Sequence, residues 1–284
     1  MKASTSAPAA MRQNRILGVD THAHVFMRGL KLLDARRYTP DYDVTVEDFL
    51  CRLDDNGLSH GVLVQPSFLG SDNSFLLSAL QAYPQRLRGI VMVEPNIDHD
   101  DLLRMAEVGV VGIRLNLVGG APLPNFSKQP WINLLHRLAD LNWQVELHRE
   151  ACDLPALIAP LLDAGVRVVV DHFGRPDPAS GINDAGFQYL MDVARTRRVW
   201  VKLSGSYRNG GAEAGEHIAL DALPLLLDAF GSDRLLWGSD WPHTQFEADV
   251  VYQHAWTQLR RLLPDQDDRL QVLITTPAEL FQFD

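Results

Sequence analysis

Short β-branched runs that end on a polar residue recur from Gly18 onward, and an amphipathic stretch follows each of them. The runs are ILGVDTHAH, GVLVQPS, LRGIVMVEP, VVGIRLN, WQVELHRE, VRVVVDHFG, VWVKLSG and RLLWGSDWPH. Between them, apolar residues fall at helical spacing. Val46, Phe49, Leu50 and Leu53 sit at i, i+3, i+4 and i+7 before a Gly57 stop, and Leu76, Leu77 and Leu80, then Ile132, Leu135 and Leu138, repeat the stripe. Eight strands alternating with helices predict an α/β chain folded as a single-domain (β/α)8 TIM barrel over residues 16–284. A doubly wound open sheet is the competing architecture, but its glycine-rich first turn is absent. The loose stretches 117–130 and 204–217 follow strands, so they read as active-site loops rather than domain boundaries.

Residues 1–15 are small and polar and read as a disordered tail without the apolar centre of a secretory signal. The net charge of -10 argues against nucleic acid and anionic membrane surfaces as partners. No apolar run reaches the length of a membrane span. Cys51 and Cys152 lack any framework spacing and are read as reduced core thiols of a cytoplasmic protein.

In a barrel, the carboxyl ends of the strands surround the active site. Five of the ten histidines stand at or just beyond the ends of these runs: His22, His24, His148, His172 and His243. Gln65, Glu94, Arg114, Asn116, Asp171, Lys202, Ser204 and Asp240 stand there too. Alternate residues of a strand share a face, so His22 and His24 point the same way. His22, His24, His148 and Asp240, with His172 beside them, are ligand types for zinc or manganese, which would leave an open position for water. A metal-free reading uses the same residues. Asp240 is then the general base on a free water, and the histidines polarise a carbonyl.

Arg114, Arg175 and Arg208 offer guanidinium forks for a substrate carboxylate. For Arg175 the alternative is a structural pairing with Asp177. Tyr38 either caps the pocket or is a plain surface tyrosine. Ser67 and Gln65 are candidate donors to a ring oxygen. Pro242 aims His243 into the site, and Trp241 packs beneath it.

The motifs VDTHAHVF, VVDHFGRPD and LLWGSDWPH resemble the amidohydrolase superfamily, in its amidohydrolase-related branch. RRYTPDYD, VQPSFLGSDN, GIRLNLV, EACDLP and DHFGRPD are similar to stretches of the 2-pyrone-4,6-dicarboxylate lactonases and their sugar-lactonase relatives. The resemblance covers the chain after about residue 15. It implies a distorted barrel, hydrolysis of a small anionic lactone, water activation by Asp240, and carbonyl polarisation by His22, His24 and His172. Metal dependence in that superfamily is mixed, so either no cofactor or one divalent metal is implied.

Two departures stand out. His148 replaces a tyrosine of the metal-free lactonases, and VGGA replaces a stretch that carries an additional arginine. His148 keeps a metal-dependent decarboxylase of the aminocarboxymuconate-semialdehyde type in view, and a sugar-lactone isomerase is a further alternative. A homo-oligomer is compatible with all three readings.

Overall fold

The computed structural model describes residues 15–283. The expectation for the tail, residues 1–15, therefore lies almost wholly outside the described residues. Eight parallel strands run in sequence order: β1 Val19–Ala23, β2 His60–Val64, β3 Leu87–Val91, β4 Val110–Asn116, β5 Gln144–His148, β6 Arg167–Val170, β7 Val199–Leu203 and β8 Leu235–Trp237. Each strand pairs with the next one in the chain. The ring closes at its carboxyl end, where Asp240 N donates to His22 O and His24 N donates to Trp241 O, both at 2.8 Å. That is a (β/α)8 barrel. The sequential strand order excludes the doubly wound sheet, in which the order reverses at a switch point.

The helices form where the apolar stripes predict them. The first, α1 (Val46–Asp55), buries Val46, Phe49, Leu50 and Leu53, and a Thr45–Asp48 capping box starts it. Crossovers α2 (Ser74–Ala82), α3 (His99–Glu107), α4 (Trp131–Asp140), α5 (Leu154–Asp163), α6 (Ala185–Val193), α7 (Ala212–Phe230) and α8 (Tyr252–Leu262) follow in turn. Outward strand residues such as Leu63, Val145, Leu147, Val168 and Val201 pack with the helices in the larger core. Inside the barrel, Val62, Ile90, Val111, Val169, Trp200 and Leu236 make a second apolar layer, closed from below by Leu280 and Phe281. The barrel's lower half is thus mainly apolar, though Gln144 is buried in it, and Glu146, Asp171, Lys202 and Asp240 lie above.

Two sequence expectations are corrected here. Cys51 and Cys152 are exposed, not core thiols. Cys51 lies two positions from Phe49, which turns it about 200° away from the buried stripe of α1. Cys152 sits in a short turn before α5. No described helix is long and apolar enough to cross a membrane.

Candidate active site

Strict alternation along β1 would put Asp20 and His22 on one face. A register irregularity between Asp20 and Ala23 separates them. Asp20 turns outward, accepting from Ser239 N at 2.8 Å and from the Tyr252 hydroxyl of α8 at 2.9 Å. His22 and His24 turn inward, with ring centroids 5.1 Å apart.

Beneath the histidines lies a buried layer of charge. Lys202 of β7 donates to Glu146 Oε2 of β5 at 2.6 Å, and its Nζ is 3.1 Å from His22 Nδ1 and 3.5 Å from Asp171 Oδ1. Arg114 of β4 pairs with Asp171 Oδ2 at 3.2 Å and donates to His148 Nδ1 at 3.0 Å. The same His22 Nδ1 lies 3.5 Å from Asp171 Oδ1, so it can accept from Lys202 or donate to Asp171. His22 Nε2 faces Asp240 Oδ1 across 3.7 Å. His24 is fixed in one tautomer. Its Nδ1 donates to Val64 O at 2.6 Å, so its Nε2 lone pair looks toward Asp240 Oδ1 across 4.0 Å.

Asp240 is wholly buried. Its Oδ2 accepts from Arg208 Nε at 2.5 Å and from the Tyr207 hydroxyl at 2.6 Å. Among the described residues its Oδ1, like His22 Nε2 and His172 Nε2, has no hydrogen-bond partner. Against the cost of burial, Arg208, His172 and His22 hold the Asp240 carboxyl well below the usual carboxylate range. Burial pushes His24 down to about 4 and His172 to about 3, so both rings are neutral near pH 7. Local backbone aims these groups: His172, Asp240 and His243 all have positive φ, a conformation that side chains adopt at a cost. Gly205 allows the close approach, because a Cβ there would meet Asp240 Oδ2 at 2.6 Å.

Above this layer opens a cavity of about 290 Å³. Of the sequence-predicted residues, His24, Tyr38, Ser67, Arg114, His148, Arg175 and Arg208 line it. His22, His172 and Asp240 lie one layer below. His243 is also buried beneath, its Nδ1 beside the Tyr207 hydroxyl at 3.2 Å. Gln65 is not a ligand donor to the cavity: its amide donates to Gly70 O and Asp72 O and ties down the loop after β2. Arg175 does not pair with Asp177; its Nη1 reaches His148 Nε2 at 3.3 Å. The Tyr38 hydroxyl is engaged by Glu247. Sequence reasoning gave no role to Arg37, Glu150, Tyr207 or Glu146, though the first two line the same cavity.

Two sets of side chains bring ligand atoms within 4.8 Å of one another: His22, His24 and Asp240, and His22, Asp171 and His172. By residue type either could hold a divalent cation. The first set fits one: His22 Nε2 and Asp240 Oδ1 are buried and have no hydrogen-bond partner among the described residues, and the His24 Nε2 lone pair looks toward the same oxygen. His148 stands outside both sets, with each ring nitrogen facing a guanidinium. It does not complete a metal site.

The amidohydrolase family model matches residues 19–283. The chain belongs to the amidohydrolase family. Among its relatives, a 2-pyrone-4,6-dicarboxylate hydrolase of Comamonas testosteroni is 34% identical over 93% of this chain and 89% of its own length. A 4-sulfomuconolactone hydrolase of Rhizobium radiobacter is 30% identical over 92% of this chain and 89% of its own. The crystal structure of a probable 2-pyrone-4,6-dicarboxylic acid hydrolase from Acinetobacter baumannii, with citric acid bound, shares 40% identity and a TM-score of 0.91, covering 94% of this chain and 100% of that one. The amidohydrolase fold here is therefore one used by lactone hydrolases.

Proposed function

We propose that this amidohydrolase opens the ring of a small anionic lactone, with 2-pyrone-4,6-dicarboxylate as the substrate to try first. The observation that carries the reading is Asp240: a buried carboxylate with one oxygen held by Arg208 and Tyr207 and the other free. The relatives named for lactone hydrolysis support it.

In this reading the free Oδ1 takes the proton of an attacking water. The new O–C bond forms at the lactone carbonyl, the ring C–O bond then breaks, the leaving oxygen takes the proton back from Asp240, and the product is a hydroxy-acid or its keto tautomer. With Lys202 donating to its Nδ1, His22 offers an Nε2–H to the developing oxyanion. The arginines of the cavity hold the acidic groups of the ring, whether carboxylate or sulfonate. Arg208 lies between the cavity and Asp240, so a substrate anion that draws Arg208 toward itself both uncovers Asp240 and restores its basicity. No step is routed through a metal; were a divalent cation bound, His22, His24 and Asp240 would hold it and it would polarise the lactone carbonyl. A cytoplasmic setting belongs to the same reading.

Purified enzyme, with and without chelator treatment, is mixed with 2-pyrone-4,6-dicarboxylate, and the ultraviolet band of the pyrone is followed. Equal loss of the band in both samples is the expected result. Activity that vanishes with chelator and returns with zinc or manganese would overturn the metal-free mechanism. No turnover of this or any sulfonated or carboxylated lactone would overturn the reading itself.

A further inference from the structure

Arg37 belongs to the exposed loop between β1 and α1, far in sequence from the other cavity arginines. Its side chain nevertheless crosses to the opposite wall, where Nη2 donates to Asn116 Oδ1 at the end of β4, 2.9 Å away. It reaches there over Gly119. That residue has φ +76, and a Cβ on it would sit 3.2 Å from Arg37 Cδ. Gly119 thus leaves room for a long side chain that enters from another loop.

The charges around the cavity fall into two groups. The inner guanidiniums are already neutralised: Arg114 pairs with Asp171 at 3.2 Å and Arg208 with Asp240 at 2.5 Å. The outer ones form no ion pair among the described residues: Glu150 acts on Arg37 and Arg175 only from beyond contact distance, and Arg175 Nη1 reaches the neutral His148 ring. Glu150, the one acidic residue of the lining, is held elsewhere, accepting from Gly119 N at 3.3 Å and lying 3.3 Å from Arg149. A molecule whose one acidic group draws Arg208 off Asp240 is held at the inner end and leaves the outer pair idle. A molecule with two acidic groups on one ring fills both.

We propose that Arg37, supported by Asn116 and admitted by Gly119, is the specificity residue that binds a second acidic group of the substrate, with Arg175 beside it. This rests on the reading of the cavity as the site of an anionic lactone. It assigns the outer anion subsite to a loop residue, so selectivity for a diacid over a monoacid is set by the β1–α1 loop and not by the barrel strands.

The test measures equilibrium binding by calorimetry, so that it does not depend on turnover. The probes are benzene-1,3-dicarboxylate and benzoate, with wild type, Arg37→Met and Arg37→Lys. Arg37→Met is expected to weaken the dicarboxylate by about tenfold or more, the usual effect of removing a charge-assisted contact, and to leave benzoate unchanged. Arg37→Lys should fall between, because it keeps the charge and loses the fork. Equal weakening of both probes would make Arg37 a loop-packing residue and overturn the proposal. So would an Arg37→Met protein that binds the dicarboxylate as wild type does, or a wild type that does not prefer the dicarboxylate. The pyrone assay is scored separately. A wild type that discriminates through Arg37 yet opens no lactone retains this subsite and sinks the lactonase reading; one that opens the pyrone with no Arg37 effect does the reverse.

Discussion

Arg208 separates Asp240 from the cavity. Its Nε lies 2.5 Å from Asp240 Oδ2, while the same side chain forms part of the cavity wall. Asp240 is accordingly ionised at any ordinary pH, but it is a weaker base than a free carboxylate until Arg208 is engaged elsewhere. Asp240→Asn should lower kcat by about 10²–10⁴, the range for loss of a general base. Arg208→Met should do something different. Without the guanidinium the Asp240 pKa rises, so the acid limb of the kcat/KM profile moves to higher pH, and KM for an acidic lactone increases. An acid limb that stays in place in Arg208→Met would show that Arg208 does not control Asp240.

The Lys202 ammonium is wholly buried between Glu146, Asp171 and His22. Lys202→Met removes the ammonium between Glu146 and Asp171 and leaves their two carboxylates out of water without it. Breaking a buried pair in this way costs about 3–5 kcal/mol. The midpoint of urea unfolding should fall accordingly. Lys202→Met with Glu146→Leu should recover much of the loss, since an apolar pair replaces a half-emptied charged one. If the double variant is no more stable than the single one, the charge layer is not what Lys202 supports. His22 also loses the Lys202 contact at its Nδ1, so the double variant should stay folded yet remain slow.

The barrel was legible because each of its signals is local: β-branched runs such as VRVVVDHFG and the stripe Val46, Phe49, Leu50, Leu53 carry their own period. The ring of strand-end histidines was legible for the same reason, since a barrel gathers strand ends by construction. What was not legible needed two elements at once. Arg37 enters from a loop whose path depends on the missing Cβ at Gly119. Glu146 looks like one more strand residue until Lys202, two strands away, is seen 2.6 Å from it. Asp20 and His22 share strict parity, and only the irregularity in β1 sends one outward and the other inward. The sequence expectation for His148 as a metal ligand followed residue type alone, and two guanidiniums on its ring nitrogens displace that role.

Six buried histidines set the acid side of stability. Burial lowers His24, His60 and His243 to about 4 and His172 to about 3, and holds His22 and His148 well below their ordinary value. Unfolded, these rings titrate near 6.5. Between pH 6.5 and 4 the unfolded chain therefore binds more protons than the folded one, and stability falls as pH falls through that window. Burial raises Asp20 to about 6 and pushes the Glu146 carboxyl up against the pull of Lys202, which acts in the opposite direction. Two groups do not offset six. The unfolding free energy should drop by about 1.4 kcal/mol per pH unit for each net proton taken up, with more than one net proton near pH 5. A flat stability profile between pH 6.5 and 4.5 would contradict the buried, neutral state of these rings.

Glu247, in the loop after β8, ties that loop to the one after β1. Both the Tyr38 and Tyr42 hydroxyls donate to its Oε1, the latter at 2.6 Å. The bonds hold the Glu247 carboxyl down against its partial burial, while burial and the adjacent carboxylate push the Tyr38 hydroxyl up to about 12. Tyr38 lines the cavity next to Arg37, so this clasp also fixes the loop that carries the outer anion subsite. Glu247→Ala removes the shared acceptor and leaves the barrel, Asp240 and the histidines untouched. Amide exchange should then quicken across residues 36–43 and 244–248 and stay slow in the strands, because the two loops lose their common tie but the sheet does not. KM for a diacidic lactone should rise several-fold through the entropy of holding a looser loop in place, with kcat little changed. Tyr38→Phe with Tyr42→Phe should give the same pattern, since it breaks the clasp from the other side. A fall in kcat with KM unchanged would instead place Glu247 in the chemistry, and unaltered exchange in both loops would show that something other than the clasp holds them.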